Sequence, residues 1–366
     1  MLADMGATVI RCEPPGGRSG YKGARFEVPN RSRRSIIVDV KKPEGREVIL
    51  KLVEAADALV EGFRPGVMEK LGLGPEPCLA RNPRLVYGRM TGWGQTGPLS
   101  RAAGHDINYI SLAGALHAVG PRGAKPAVPL NLVGDYGGGS MLLAFGLACG
   151  LLRARSTGRG DVVDAAMVDG TAALLAPTYA FLARGAWDDA QRGSNILDGG
   201  FFFYDTYECK DGRHVSVGAL EPQFYAQLVR LAGAEGEDLL RPEGQFQQAR
   251  SPEARARMEA LFRTRTRDEW CAALEGSDAC FAPVLSMSEA PRHPHARARG
   301  AYLEVDGVLQ PAPAPRFSSA PAAAPTAPRE VGEDTVEVCR AAGLDVEALL
   351  ACGAIVDRSD SSRSRL

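Results

Sequence analysis

Three neighbourhoods in the 366-residue chain could carry proton-transfer chemistry. His105 follows a glycine in GHDINYISLAGALHAVG and opens an apolar, helix-like pattern, an element edge from which side chains reach a cleft. Asp135, in LVGDYGGG, lies between a strand-like run and a glycine turn that leads into a helix. A carboxylate there can accept backbone N–H bonds and meet the positive end of a helix dipole. Glu221 ends the run HVSVGAL and precedes Pro222, which opens a predicted helix. An imidazole and two carboxylates are the side chains of general acid–base catalysis. Taken singly, each also reads as an ordinary cap or edge residue, and His105 also as a packed core histidine or a metal ligand.

Other common signatures are missing. The chain has no G-x-x-x-x-G-K-[ST] loop, no G-x-G-x-x-G after a strand and no G-x-S-x-G elbow. His293 and His295 stand two apart among arginines, with no carboxylate or cysteine at ligand spacing, so HPHARARG reads as a surface loop and no metal site is expected. His117 and His214 lie inside periodic segments and read as packing or surface residues. The eight cysteines are scattered without a C-x-x-C pair, which fits reduced thiols in a cytosol-like compartment. A formal charge of −1 provides no field for nucleic acid or an anionic membrane, and neither partner is expected. MLLAFGLACGLL, from Met141 to Leu152, is about half a membrane span and reads as a buried helix. The terminal Ser-Arg-Leu resembles a peroxisomal address, against the plainer reading of a polar tail.

The elements that must position these residues alternate. TVIRCE and RRSIIVDV read as strands, and PEGREVILKLVEAADAL as a helix entered through Pro43. ALVEGF and RLVYGRM are two further short strands. Strands alternating with helices predict a Rossmann-like, doubly wound parallel sheet of the α/β class. DVVDAAMVDGTAALLAPTYAFLA reads as continuous helix. Two strand-like runs around Lys210-Asp211-Gly212 predict a hairpin in a smaller α+β domain. The expected organisation is a large domain over residues 1–165, a helical linker over 166–197, the small domain over 198–290 and a return segment over 291–366. Within that last part, residues 311–328 are Pro/Ala-rich and extended, and two short helices close the chain.

GHDINYISLAG, PLNLVGDYGGGSM, STGRGDVVDAAMVDG, LDGGFFFYDTYECKDGRHVSVGALEPQFY and SDACFAPVL together resemble the alpha-methylacyl-CoA racemases of the family III CoA-transferase superfamily. The similarity runs from Ala3 to about Ile355. It implies interconversion of (2R)- and (2S)-2-methylacyl-CoA thioesters, with His105 and Asp135 as the two acid/bases and Glu221 supporting the histidine. It implies an interlocked homodimer, with each site built from the large domain of one chain and the small domain of the other. Val38, Asp39, Val40 and Lys41, then Gly62, Phe63 and Arg64, and Lys70 would line the coenzyme A site. Gly104, Asp106, Ile107, Asn108 and Tyr109 would lie along the acyl-thioester. Without the resemblance, Lys41, Arg64 and Lys70 read as solvated surface charge.

The chemistry suits these residue types. Inverting a carbon beside a thioester requires removing its proton on one face and returning one on the other. Two groups that each act as base and acid meet that need, and oriented backbone donors from the glycine-rich turn or a helix N-terminus are expected at the enolate oxygen. No cofactor is expected, coenzyme A being part of the substrate. The alternatives are an acyl-CoA:carboxylate CoA transferase with Asp135 as nucleophile, and an inactive acyl-CoA-binding homologue. Two departures stand out. Family members open with a further strand and helix, so the sheet is expected to lack a central strand, at a cost of several kcal/mol. Pro14 stands where the family commonly has an arginine touching coenzyme A, and Arg11 is the nearest substitute. Placement in the cytoplasm is expected, or in a peroxisome or mitochondrion if the host is a eukaryote.

Overall fold

The computed structural model describes residues 1–17, 23–247, 251–320 and 322–358, so the terminal Ser-Arg-Leu lies outside the described residues. The chain divides into two compact units. One comprises Met1–Ala103, Gly139–Met167 and the segment from Pro291 on; the other comprises Gly104–Gly138 and Val168–Ala290.

The first unit holds the parallel strands. β1 (Val9–Glu13) pairs with β2 (Arg33–Ile37), and β3 (Ala58–Glu61), β4 (Val86–Thr91) and β5 (Asp161–Ala166) pair in that order. The α/β class is as expected, but the strands form two sheets, of two and of three members. β1 and β3 each keep one edge unpaired among the described residues, and Val60 of β3 is half exposed. The helix Pro43–Ala55 starts at a proline in its first turn and buries Val48, Ile49, Leu50 and Val53. These pack with Ile36, Val38, Leu73, Leu85 and Tyr87, and with Val338 and Val346 of the two closing helices Thr335–Ala341 and Val346–Ala351. A hairpin over Tyr302–Val305 and Val308–Pro311 had no counterpart in the sequence reading.

Two expectations for the middle of the chain need correction. DVVDAA is not helix but β5, because β4 offers a parallel edge that its valines can pair with; helix begins only at Met167. The apolar run after Met141 is helical, over Leu142–Thr157, but not buried all round. One face lies on the sheet: Cβ atoms on Gly146 and Gly150 would stand 2.8 Å from Val163 and Val86. These glycines, four residues apart, let the helix sit close to the strands. On the other face, Phe145 and Leu152 are each 67% exposed. With the π-helical turn before it, Leu132–Thr157 is long and apolar enough to cross a membrane by length and composition alone.

The second unit contains an antiparallel sheet in the order β6 (Tyr204–Glu208), β7 (His214–Gly218), β8 (Phe281–Pro283). β6 and β7 form the hairpin expected around Lys210-Asp211-Gly212, with Gly212 at φ +75° where a Cβ would be strained. Val215 and Val217 of β7 point inward and His214 outward, the alternation of a sheet with one buried face. The core they enter contains Phe202, Phe203, Tyr207, Tyr225, Phe262 and Trp270. The buried indole of Trp270 donates to the Phe262 carbonyl at 2.9 Å and meets the Phe262 ring edge-on. Thr266 and Glu269 close a capping box at the start of the helix Arg267–Leu274.

Candidate active site

His105 is the N-cap of the helix Asp106–Leu112, in extended backbone, with an exposed side chain. Its own N–H donates to Asn108 Oδ1 at 3.1 Å, which helps to fix the helix start. Ile107 and Asn108 are exposed beside it. Tyr109 turns inward, its hydroxyl donating to the Gly104 carbonyl. Asp106 also turns inward and is 5% exposed.

Asp135 lies in a π-helical segment, Leu132–Met141. π-Turns are rare and recur at functional positions. Its carboxylate accepts a hydrogen bond from Asn131 Nδ2 at 3.0 Å. The segment is pinned by the residue after His105: Asp106 Oδ2 accepts from Gly134 N at 2.7 Å and from Asp135 N at 2.8 Å. This clamp brings together two stretches 29 residues apart. Covalent reach then holds the Cα atoms of His105 and Asp135 within about 12 Å of each other. The clamp demands a glycine at 134, because a Cβ there would stand 2.5 Å from Asp106 Oδ2. A second close approach follows, where a Cβ on Gly170 would fall 1.9 Å from the Gly138 carbonyl oxygen. The other Asp106 oxygen, Oδ1, is buried with no hydrogen-bond partner among the described residues.

The clamp also bears on the expected oxyanion donors. The amides of Gly134 and Asp135 are committed to Asp106 and so are not free as the donors expected from the glycine-rich stretch.

Glu221 caps the helix Pro222–Leu231 from extended backbone, its carbonyl accepting from Phe224 and Tyr225 while its carboxylate stays exposed. The junction before it is held by a residue that sequence reading passed over. The buried Gln245 donates through Nε2 to the carbonyls of Ala219 and Leu220, at 2.9 and 3.0 Å. No polar periodicity marks Gln245, because its role arises only when the chain returns to the strand end. Within the single chain, Glu221 and His105 make no hydrogen bond or ion pair with each other among the described residues.

The proposed coenzyme A residues all belong to the first unit and follow the carboxyl ends of its parallel strands, where α/β sheets place ligands. Val38 and Asp39 follow β2 and are tied to the chain's later part: Val38 bridges to Ile355 and Asp39 N donates to Ala354 O at 2.8 Å. The Val38 side chain is in the core and Val40 packs against it, leaving Lys41 to solvent. Gly62, Phe63 and Arg64 follow β3 and are exposed, as is Lys70 at the end of the short helix Val67–Lys70. Arg11, the arginine expected to substitute at the Pro14 departure, is engaged with Glu13 and Glu27. Among the described residues no group of three or more His, Cys, Asp or Glu side chains could hold a metal ion.

Residues 1–335 match CoA-transferase family III. The chain is 44% identical to the alpha-methylacyl-CoA racemase of Mus musculus, over 96% of this chain and 90% of that protein. It is 40% identical to the enzyme of the same name from Homo sapiens, over 95% of this chain and 90% of that protein. Among solved structures, a CAIB/BAIF family protein from Brucella suis superposes with a TM-score of 0.78 at 25% identity, covering 93% of each chain. The likeness of fold and the family match over most of the chain agree: it belongs to CoA-transferase family III.

Proposed function

We propose that this chain is a racemase that interconverts (2R)- and (2S)-2-methylacyl-CoA thioesters by 1,1-proton transfer. The observation that carries the reading is the Asp106 clamp, which ties His105 and Asp135 into one neighbourhood. The similarity to the two named racemases supports it. One of the pair takes the proton from C2, and the C–H electron pair moves into the thioester to form a planar enolate. The other then protonates C2 from the opposite face, and the roles reverse in the other direction. Asp39–Lys41, Gly62–Arg64 and Lys70 hold the coenzyme A portion, with Val38 anchoring the first of these stretches in the core. Gly104, Ile107 and Asn108 flank the acyl-thioester, with Asp106 and Tyr109 supporting them from the buried side. The reaction draws on no cofactor.

The working form is a homodimer with shared sites, in which Glu221 of one copy supports His105 of the other. Two observations favour it. Glu221 is exposed and without a bond to His105 in the single chain. Large apolar side chains also stand bare within each unit taken by itself: Phe145 and Leu152 in the first, Leu174 and Tyr179 in the second. Such surfaces mark association faces.

The test is to incubate one pure hand of a 2-methylacyl-CoA in deuterated water with no acceptor acid. Deuterium at C2 with loss of optical purity supports the racemase. A reaction that appears only when a carboxylate acceptor is added identifies a CoA transferase with Asp135 as nucleophile. Binding with neither reaction leaves an acyl-CoA-binding protein.

A further inference from the structure

The segment from Gly62 to Gly74 presents an aromatic ring and two cations to solvent, Phe63, Arg64 and Lys70. It has little regular structure of its own beyond one helical turn, Val67–Lys70. What holds it is a buried ionic network at the carboxyl ends of β3 and β4. Glu61 and Arg89 are direct neighbours in the register of these strands and are 5% and 6% exposed. Arg89 Nε donates to Glu61 Oε1 at 2.8 Å, and Glu61 Oε2 accepts from the Phe63 N–H at 2.7 Å. The other side of the same guanidinium donates to both oxygens of Glu69, at 2.7 and 3.3 Å. One planar fork therefore pins the segment at Phe63 and again beside Lys70. Tyr87, two residues back on β4, fixes the far end by donating to the Leu73 carbonyl at 2.9 Å.

Two buried charges are a costly way to hold a loop, since well-packed apolar residues serve stability equally well. The network instead supplies geometry: it sets the spacing between Arg64 and Lys70. We propose that Arg89 is a positioning residue for the nucleotide end of coenzyme A, acting through Glu61 and Glu69 on Phe63, Arg64 and Lys70. This rests on the coenzyme A reading of those three residues. Arg89 itself touches no reacting atom, and its effect falls on binding of the nucleotide, not on the proton transfers.

The full chain is assayed with a 2-methylacyl-CoA and with the matching pantetheine thioester, which has the same reacting carbon but no nucleotide. Glu69→Gln is expected to raise KM for the CoA thioester about fivefold, and Arg89→Lys, which keeps the charge but loses the fork, about tenfold. In both, kcat stays within about twofold, and kcat/KM for the pantetheine thioester is unchanged. Equal losses on both thioesters, or unchanged KM on the CoA thioester, overturn the proposal. Should Arg89→Lys fail to fold, Glu69→Gln decides alone, because Glu69 is 45% exposed and outside the core. Arg64→Gln and Lys70→Gln separate the two levels. If they leave KM unchanged, the coenzyme A reading falls and takes the proposal with it. If they raise KM while Glu69→Gln and Arg89→Lys do not, only the Arg89 assignment falls.

Discussion

Replacing Gly134 by alanine tests the Asp106 clamp with one methyl group and no change to any candidate acid or base. The new Cβ would lie 2.5 Å from Asp106 Oδ2, 2.9 Å from its Cγ and 3.1 Å from Ile110 Cγ2. Restoring van der Waals separation moves the carboxylate by about 1 Å. It cannot do so without stretching its bonds to Gly134 N and Asp135 N, now 2.7 and 2.8 Å. A hydrogen bond to a buried charged acceptor contributes about 1.5–3 kcal/mol, so weakening the two costs about 2–4 kcal/mol. The same displacement lets Asp135 drift relative to His105, and a misplacement of about 1 Å costs about 10²-fold in rate. The assays are the urea midpoint of unfolding and kcat for C2 deuterium exchange. Gly134→Ala is expected to lower both, and Asp106→Asn, which keeps an acceptor in place, to be milder on both. A lowered midpoint with wild-type kcat would show that the clamp serves stability only. Unchanged values of both would refute the packing argument.

Two further outcomes are expected. If sites are shared between copies, His105→Ala and Glu221→Ala are each inactive alone, and mixing them after reversible dissociation restores activity, because each mixed dimer has one site with both native residues; no recovery on mixing contradicts sharing. Hydrogen bonds from Arg267, then from Ser286, hold the Glu289 carboxyl at about 2, below its ordinary 4.5. Its contribution to stability is therefore complete above about pH 4.5 and lost as pH falls through about 2, so the urea-midpoint gap between wild type and Glu289→Gln should be constant from pH 7 to 5 and narrow below that. A gap that widens on acidification reverses the sign of this linkage.

Much of the fold was legible where local chemistry decides it. Pro43 and Pro222 opened helices as read, Lys210-Asp211-Gly212 turned a hairpin, and the strands around Val9, Ile36, Leu59 and Tyr87 lie where their apolar runs placed them. What was misread depended on distant partners. Val162 and Val163 became strand because β4 lies beside them, a fact no local window contains. Leu142–Thr157 carries apolar residues all round, and its sequence does not say that only the glycine face meets the sheet. At the candidate site, His105 was visible as an edge residue, but the strand and glycine turn expected around Asp135 are instead a helical run from Leu132 on, and the roles of Asp106 and Gln245 were not visible. Asp106 reads as one more polar residue in a helix's first turn, and its function appears only when the backbone 29 residues on is folded against it. Arg89 was hidden for the same reason, since its partners Glu61 and Glu69 come from other elements.

The pairing of His105 with Asp135 is tested most directly by C2 deuterium exchange in His105→Ala and Asp135→Ala, each begun from either pure hand of a 2-methylacyl-CoA. The two-base account predicts that each variant still binds the thioester but racemises it at least about 10²-fold more slowly than wild type. Wild-type racemisation by either variant would contradict it.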